Sequence, residues 1–228
     1  MNDSVMVKLF IGYDKCEIVA YHAFCQSVIS NSSIPVSFVP ISLSHLKGFF
    51  TRERHPLQST DFSFSRFLVP YLCGYEGWAI FMDCDMLLTG DIAELWALRD
   101  EQYAVQVVKH NHKPSETKKF LDQPQTAYAK KNWSSVMLFN NEKCRALTPE
   151  YVNTAAGLEL HQFKWLEESQ IGSLPAGWNY LVDVEGQPEC EIKNLHYTLG
   201  GPYFSDYRDC SYAEEWFAAF EELKSCKG

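Results

Sequence analysis

The stretch Trp78 to Met82, WAIFM, is a nearly continuous apolar run that stops on Asp83-Cys84-Asp85. An unbroken run of this kind marks a central strand covered on both faces, where a half-exposed strand would alternate. Cover on both faces calls for helices above and below the sheet, so the chain is directed toward an α/β architecture. Neighbouring segments supply the parts. Val7 to Gly12 (VKLFIG) reads as a strand, followed by a loop at Tyr13-Asp14 and a helical pattern that sets Ile18, Val19, Ala20 and Phe24 near one face. Pro35 to Ile41 reads as a second strand with Val36, Phe38 and Ile41 inward. Ser59-Thr60-Asp61 offers N-caps for a helix that carries Arg66 and is kinked at Pro70. Asp91 caps a short helix through Leu95 and Trp96, and Tyr103 to Val108 and Trp133 to Phe139 read as strands. Thr148-Pro149-Glu150 has the cap-then-proline signature of a helix start, and an amphipathic helix from about Tyr212 to Leu223 closes the chain.

Strand and helix signals alternate throughout. The expected fold is therefore a single α/β domain over residues 1–228, with a mostly parallel central sheet flanked by helices. In such sheets ligands gather at the carboxyl ends of the strands, which is where Asp83 and Asp85 fall.

A formal net charge of −9 argues against nucleic acid as a partner, because binding a polyanion relies on many Lys and Arg side chains. A small diphosphate is compatible with it, since one divalent cation and one or two basic groups can hold two phosphates. No apolar stretch reaches the roughly 18 residues that span a bilayer, and the start lacks a basic region followed by an apolar one. The eight cysteines show no CxxC and no zinc-ligand spacing, as expected for reduced thiols in the cytoplasm.

Two carboxylates flanking one residue at the end of a buried strand can reach one hard cation. Oxygen ligands of this kind suit Mn2+ or Mg2+, which bind phosphate oxygens in turn. The alternative is that one Asp only caps the following turn.

The block Ser59 to Trp96, STDFSFSRFLVPYLCGYEGWAIFMDCDMLLTGDIAELW, resembles family 8 glycosyltransferases of the GT-A fold. There an Arg precedes a strand, the strand ends in DxD, and a DIxELW-type helix follows. Arg66, Asp83, Asp85 and the stretch Asp91 to Trp96 match in order and spacing. The resemblance implies a metal-dependent transferase that takes a nucleotide-sugar donor, with a UDP-sugar favoured, and retention at the anomeric carbon. It makes Asp83, Cys84 and Asp85 part of the donor site, with the two carboxylates on the metal and Arg66 reaching the donor.

The opening LFIGYDKCEIVAYHAF is similar to the segment that holds base and ribose in that family, which puts Gly12, Tyr13 and Asp14 at the donor. A phenol can stack on uracil, and a carboxylate can accept from ribose hydroxyls. A plain turn closed by Asp14 is the other reading. Asn194-Leu195-His196-Tyr197-Thr198 followed by Gly200-Gly201-Pro202 resembles the closing motif, whose His is the third metal ligand, and an imidazole favours Mn2+ over Mg2+. Where the family carries a Lys, this chain has Gly201, so phosphate contact passes to the backbone of Gly200 and Gly201 or to a basic residue elsewhere.

Lys131 to Asn141 occupies the place of a sugar-contacting segment, with Asn132 displaced by one position and Trp133 standing where the Asn would fall. Trp133 can stack on a sugar or pack in the core. Trp165 to Asn179 is similar to a segment with an acid-amide pair followed by LPxxWN, which makes Glu167, Glu168 and Gln170 candidates near the sugar. Arg52, Arg54, Tyr203, Phe204 and Tyr207 are candidates to line an acceptor pocket for a glycan or other small acceptor.

Three other functions fit parts of this pattern. One is a binding protein of the same fold without transfer activity, motivated by Gly201 and the displaced Asn132. Another is a transferase that uses water as acceptor. The third is a DxD phosphohydrolase, opposed by Leu87 and by the motif's distance from the start of the chain.

Overall fold

The computed structural model describes residues 6–54, 58–110, 118–119, 123–124 and 130–224. Cys226, one of the eight cysteines, lies outside them, as does Pro56 in the aperiodic stretch from Phe49 to Leu57. The strands are β1 (Val7–Gly12), β2 (Val36–Ile41), β3 (Trp78–Met82), β4 (Met86–Leu88), β5 (Val105–Val107), β6 (Lys118–Lys119), β7 (Gln123–Pro124), β8 (Val136–Asn140), β9 (Ile171–Ser173), β10 (Tyr180–Leu181) and β11 (Asn194–His196). The helices are α1 (Ile18–Asn31), α2 (Val69–Leu72), α3 (Ile92–Ala97), α4 (Pro149–Thr154), α5 (Gly157–His161) and α6 (Ala213–Lys224).

A six-stranded sheet runs β2-β1-β3-β8-β5-β9. The β1–β2, β1–β3 and β5–β9 pairs are parallel, and β8 is antiparallel to both its neighbours. Only β8 is reversed, so the sheet is mostly parallel, as the alternation of strands and helices implies. From Ala79 to Met82 every β3 residue is fully buried, which explains the unbroken apolar run.

Reversal of β8 positions the site. Its first residue, Val136, pairs with Met82, the last of β3, so the turn at 132–135 arrives beside Asp83. A second, three-stranded sheet runs β10-β11-β4. In it β11 is antiparallel to β4, and His196 faces Met86, the residue after Asp85. Residues more than 100 positions apart in the chain are thereby brought to one place by two strand registers.

Caps follow the sequence closely. Asp91 Oδ1 accepts from the Ala93 N–H at 2.9 Å, and Thr148 Oγ1 accepts from the Tyr151 N–H at 3.1 Å. Three expectations need correction. Arg66 stands on a 3-10 turn, Ser65–Leu68, ahead of α2, and Pro70 opens α2 instead of kinking a longer helix. Proline lacks an N–H, and the first helical turn does not need one. Trp133–Ser135 form a 3-10 turn before β8, preceded by Asn132 in the left-handed region at φ 63°. In α1 the buried face is Ala20, Tyr21, Ala23, Phe24, Ser27 and Val28, while Ile18 and Val19 face outward. Helical residues turn about 100° each, so Ile18 lies roughly opposite Ala20.

Helix α6 packs along α1, buries Trp216, and reaches Gln26 and Ser30 through Glu222. Among the described residues no helix is long and apolar enough to cross a membrane.

Candidate functional site

Asp83, Cys84 and Asp85 form the bend between β3 and β4, with both carboxylates at the cluster and Cys84 turned into the core. Cys84 is fully buried, and its thiol points at Glu17 Oε2, 3.7 Å away. Asp83 is held at both ends. Its N–H donates to Ser135 O at 3.1 Å, and Arg66 Nη1 lies 2.7 Å from its Oδ1. The same Arg66 nitrogen donates to Ser134 O at 2.8 Å.

Asp85 is fixed through its carbonyl, which accepts from the Tyr197 N–H at 2.8 Å. One residue earlier in the chain, His196 places Nε2 3.4 Å from Asp85 Oδ2 and is almost fully buried. Its Nδ1 lies 2.8 Å from Asn179 Oδ1. One donor atom from each of Asp83, Asp85 and His196 falls within 4.8 Å of the others. Ligands about 2–2.3 Å from one ion are at most about 4–4.6 Å apart, so the cluster is close to the spacing a single ion spans. Two carboxylates and an imidazole match the chemistry of Mn2+ well and of Mg2+ less well. The residues present fit a divalent cation.

Glu17 was not among the residues singled out from sequence. It is buried, accepts from the Tyr203 hydroxyl at 2.9 Å, and its carboxyl is pushed up to about 8. Burial is the main cause, with the charge of Asp85 next, and the bond from Tyr203 works against both. The same surroundings, burial first and Glu17 second, push the Cys84 thiol and the Tyr203 phenol well above their usual values. In the sequence Glu17 looks like an ordinary acidic residue at a helix start, so only tertiary packing reveals it.

At the opening loop, Asp14 is buried; its Oδ1 accepts from the Cys16 N–H and its Oδ2 from the Asp61 N–H, both at 2.8 Å. Tyr13 is half-buried, edge-on to Tyr21 at 5.3 Å. Gly12 is needed for packing, since a Cβ there would lie 2.3 Å from the Phe62 ring.

Asn132 contributes its carbonyl, which accepts from Asn179 Nδ2 at 3.1 Å and Ser135 Oγ at 2.6 Å. Trp133 donates from Nε1 to His110 O at 3.2 Å and packs against the core, with the Lys109 and Lys130 ammonium groups 5.7 and 5.5 Å from its ring. Glu168 is exposed and pairs with Lys130, which links it to Trp133. Gln170 forms a capping box with Glu167, so this acidic segment is a 3-10 turn, Glu168–Gln170, and not a longer helix.

Gly200 has φ 132°, and its N–H donates to Tyr197 O at 2.8 Å. A Cβ at Gly201 would lie 2.3 Å from the Tyr203 ring. Tyr203 is turned inward onto Glu17, with Phe204 and Trp216 beside it, and Tyr207 packs against Gly200. Arg52 donates to Val152 O and Ala155 O at the end of α4, and Arg54 pairs with Asp61. The structure thus gathers Arg66, Asp83, Asp85 and His196 in one place, with Glu17 behind Cys84. It engages Arg52 and Tyr203 in internal contacts and pairs the exposed Arg54 with Asp61.

No established family profile matches the sequence. The chain is 47% identical over 223 residues to Protein CDI of Arabidopsis thaliana, covering 94% of this chain and 86% of that protein. Among solved structures it is similar to the apo-form glycosyltransferase GlyE of Streptococcus pneumoniae TIGR4, with a TM-score of 0.62 at 13% identity over 95% of this chain. The match covers 60% of the GlyE chain, so this protein spans less than two thirds of that enzyme. It is also similar to the galactosyltransferase LgtC in complex with donor and acceptor sugar analogs, with a TM-score of 0.61 at 12% identity, covering 96% of this chain and 97% of that one. These likenesses establish a GT-A-type fold. The chain belongs to the family of Protein CDI and is built on the fold of GT-A glycosyltransferases.

Proposed function

We propose that this protein is a metal-dependent glycosyltransferase of the family 8 type. It moves a hexosyl group from a UDP-sugar to a glycan or other small acceptor, with retention, in the cytoplasm and as one domain over residues 1–228. The observation that carries this reading is the convergence of Asp83, Asp85 and His196 at the carboxyl end of β3 on a GT-A fold.

These three residues would hold Mn2+ or Mg2+. A bound divalent ion supplies neutralisation of the charge that develops on a leaving diphosphate. The chain's own groups prepare for that step. Arg66 holds the Asp83 carboxylate in place, and Asn179 holds the His196 ring. Asp14 and Tyr13 would meet ribose and base; the Gly200 N–H is bonded to Tyr197 O, so the backbone contact to phosphate would fall to Gly201. Trp133 offers a ring to the sugar, with Glu168 and Gln170 as polar partners. The described cysteines are free thiols, the state expected of a cytoplasmic protein.

A nucleotide-sugar-binding protein without transfer is the second reading. It is favoured by the exposure of Glu168 and its pairing with Lys130. The deciding experiment incubates the protein with a panel of UDP-sugars and Mn2+, with and without candidate acceptors, and measures UDP release. Release that depends on an acceptor supports transfer, and release without one identifies water as the acceptor. Binding of UDP-sugars with no release across the panel supports the second reading.

A further inference from the structure

We infer that Asn179 is a positioning residue that fixes the tautomer of His196, leaving the Nε2 lone pair facing the carboxylates of Asp83 and Asp85. The inference rests on the proposed metal site and concerns what prepares it. Asn179 is fully buried, at the end of the 3-10 turn Ala176–Asn179 that precedes β10.

Its amide has one satisfied orientation. Nδ2 faces Asn132 O at 3.1 Å and Ser135 Oγ at 2.9 Å. The Ser135 hydroxyl spends its hydrogen on Asn132 O at 2.6 Å, so toward Asn179 it is an acceptor. Both atoms on that side therefore need a donor, and a flipped amide would set its oxygen against two acceptors. Oδ1 is thus the atom 2.8 Å from His196 Nδ1. An amide oxygen only accepts, so Nδ1 carries the hydrogen, and in a neutral ring Nε2 then carries the lone pair.

That lone pair points to Asp85 Oδ2 at 3.4 Å. Two lone-pair atoms so placed repel until something positive sits between them. The turn that anchors Asn179 also supplies Ser134 O to Arg66 and Ser135 O to the Asp83 N–H. The carboxylate side and the imidazole side of the cluster are therefore referenced to one short turn. Partners behind a metal-binding histidine commonly contribute tenfold or more to affinity by orienting the ring.

The test uses the full chain labelled with 15N-histidine, in EDTA at pH 8.5, read by two-bond 1H–15N correlation. His196 is assigned by the signal lost in His196→Gln. Expected is an Nδ1-protonated ring with a bare Nε2; an Nε2-protonated ring overturns the inference. A second arm measures Mn2+ binding by electron paramagnetic resonance in wild type, Asn179→Ala and Asn179→Asp. Asn179→Ala weakens binding by about 10–100-fold; Asn179→Asp keeps the acceptor for Nδ1–H but sets its other oxygen toward Asn132 O, so it weakens binding too, by clearly less than Asn179→Ala. Equal binding by wild type and Asn179→Ala, or equal loss in both variants, also overturns it. Should Asn179→Ala fail to fold, the wild-type tautomer still decides. A wild type that binds no Mn2+ removes the proposed metal site instead, and the tautomer then stands or falls by its own signal.

Discussion

Arg66 and Asp83 form a buried ion pair at 2.7 Å, with side chains only 6% and 13% exposed. The same guanidinium nitrogen reaches Ser134 O, so Arg66 ties the end of β3 to the turn before β8. Removing one partner of a buried pair leaves the other charge uncompensated, at a cost of about 3–5 kcal/mol. Arg66→Ala is expected to lower the unfolding free energy by about that amount in urea titrations. Arg66→Lys should recover only part of the loss, because its shorter side chain stops short of the position from which Nη1 serves both acceptors, and an ammonium lacks the flat face that lies against the Phe62 and Phe81 rings. A loss under about 1 kcal/mol for Arg66→Ala would show that the pair is an exposed contact in solution.

Glu17 gives a pH dependence with a definite sign. Its carboxyl is raised to about 8 in the folded protein, chiefly by burial. In the unfolded chain it titrates near the ordinary value of about 4.3. Below that value both states are protonated and the residue is neutral to stability. Between about 4.3 and 8 the unfolded state ionises and the folded state resists, so native stability falls with rising pH. Glu17→Gln removes this effect. In EDTA the variant should match wild type at pH 4, melt at higher temperature as pH rises, and level off above pH 8. A difference in melting temperature that does not change with pH contradicts the assignment.

The close approach at Gly12 predicts a steric penalty. A methyl there would lie 2.3 Å from the Phe62 ring, which is itself buried against Phe81. Overpacking of this type costs about 1–3 kcal/mol. Gly12→Ala should lose that much, and combination with Phe62→Leu should lose less than the sum of the two single changes, as thermal unfolding of the four proteins will show. Additive losses would mean that the two residues do not meet.

Features set by local chemistry were legible in the chain itself. The β3 run, the DxD at its end, and the caps at Asp91 and Thr148 depend on a few adjacent residues and appear where expected. His196 and both aspartates come from segments matched by resemblance, and they meet in space. Other features depend on long-range packing and carry no local signal. The reversed direction of β8 is one, since an apolar strand reads the same in either direction. It turns the segment around Asn132 and Trp133 into a hub of backbone carbonyls beside Asp83. Burial of Glu17 under Tyr203 joins residues 186 positions apart, and the bond that Asn179 Oδ1 accepts from His196 Nδ1 requires two separate strands to be in register. Ile18 and Val19 were misplaced for a geometric reason, because consecutive apolar residues cannot all share one helical face.

The central claim is that the carboxylate pair holds an ion that in turn holds a nucleoside diphosphate. Calorimetric titration of UDP into the purified protein tests it most directly, run with Mn2+, with EDTA, and with Mn2+ on an Asp83→Ala, Asp85→Ala double variant. The account predicts binding with Mn2+ and a loss of at least about tenfold both in EDTA and in the folded double variant. Equal affinity under all three conditions, or no binding of UDP by the folded wild type with Mn2+, would contradict it.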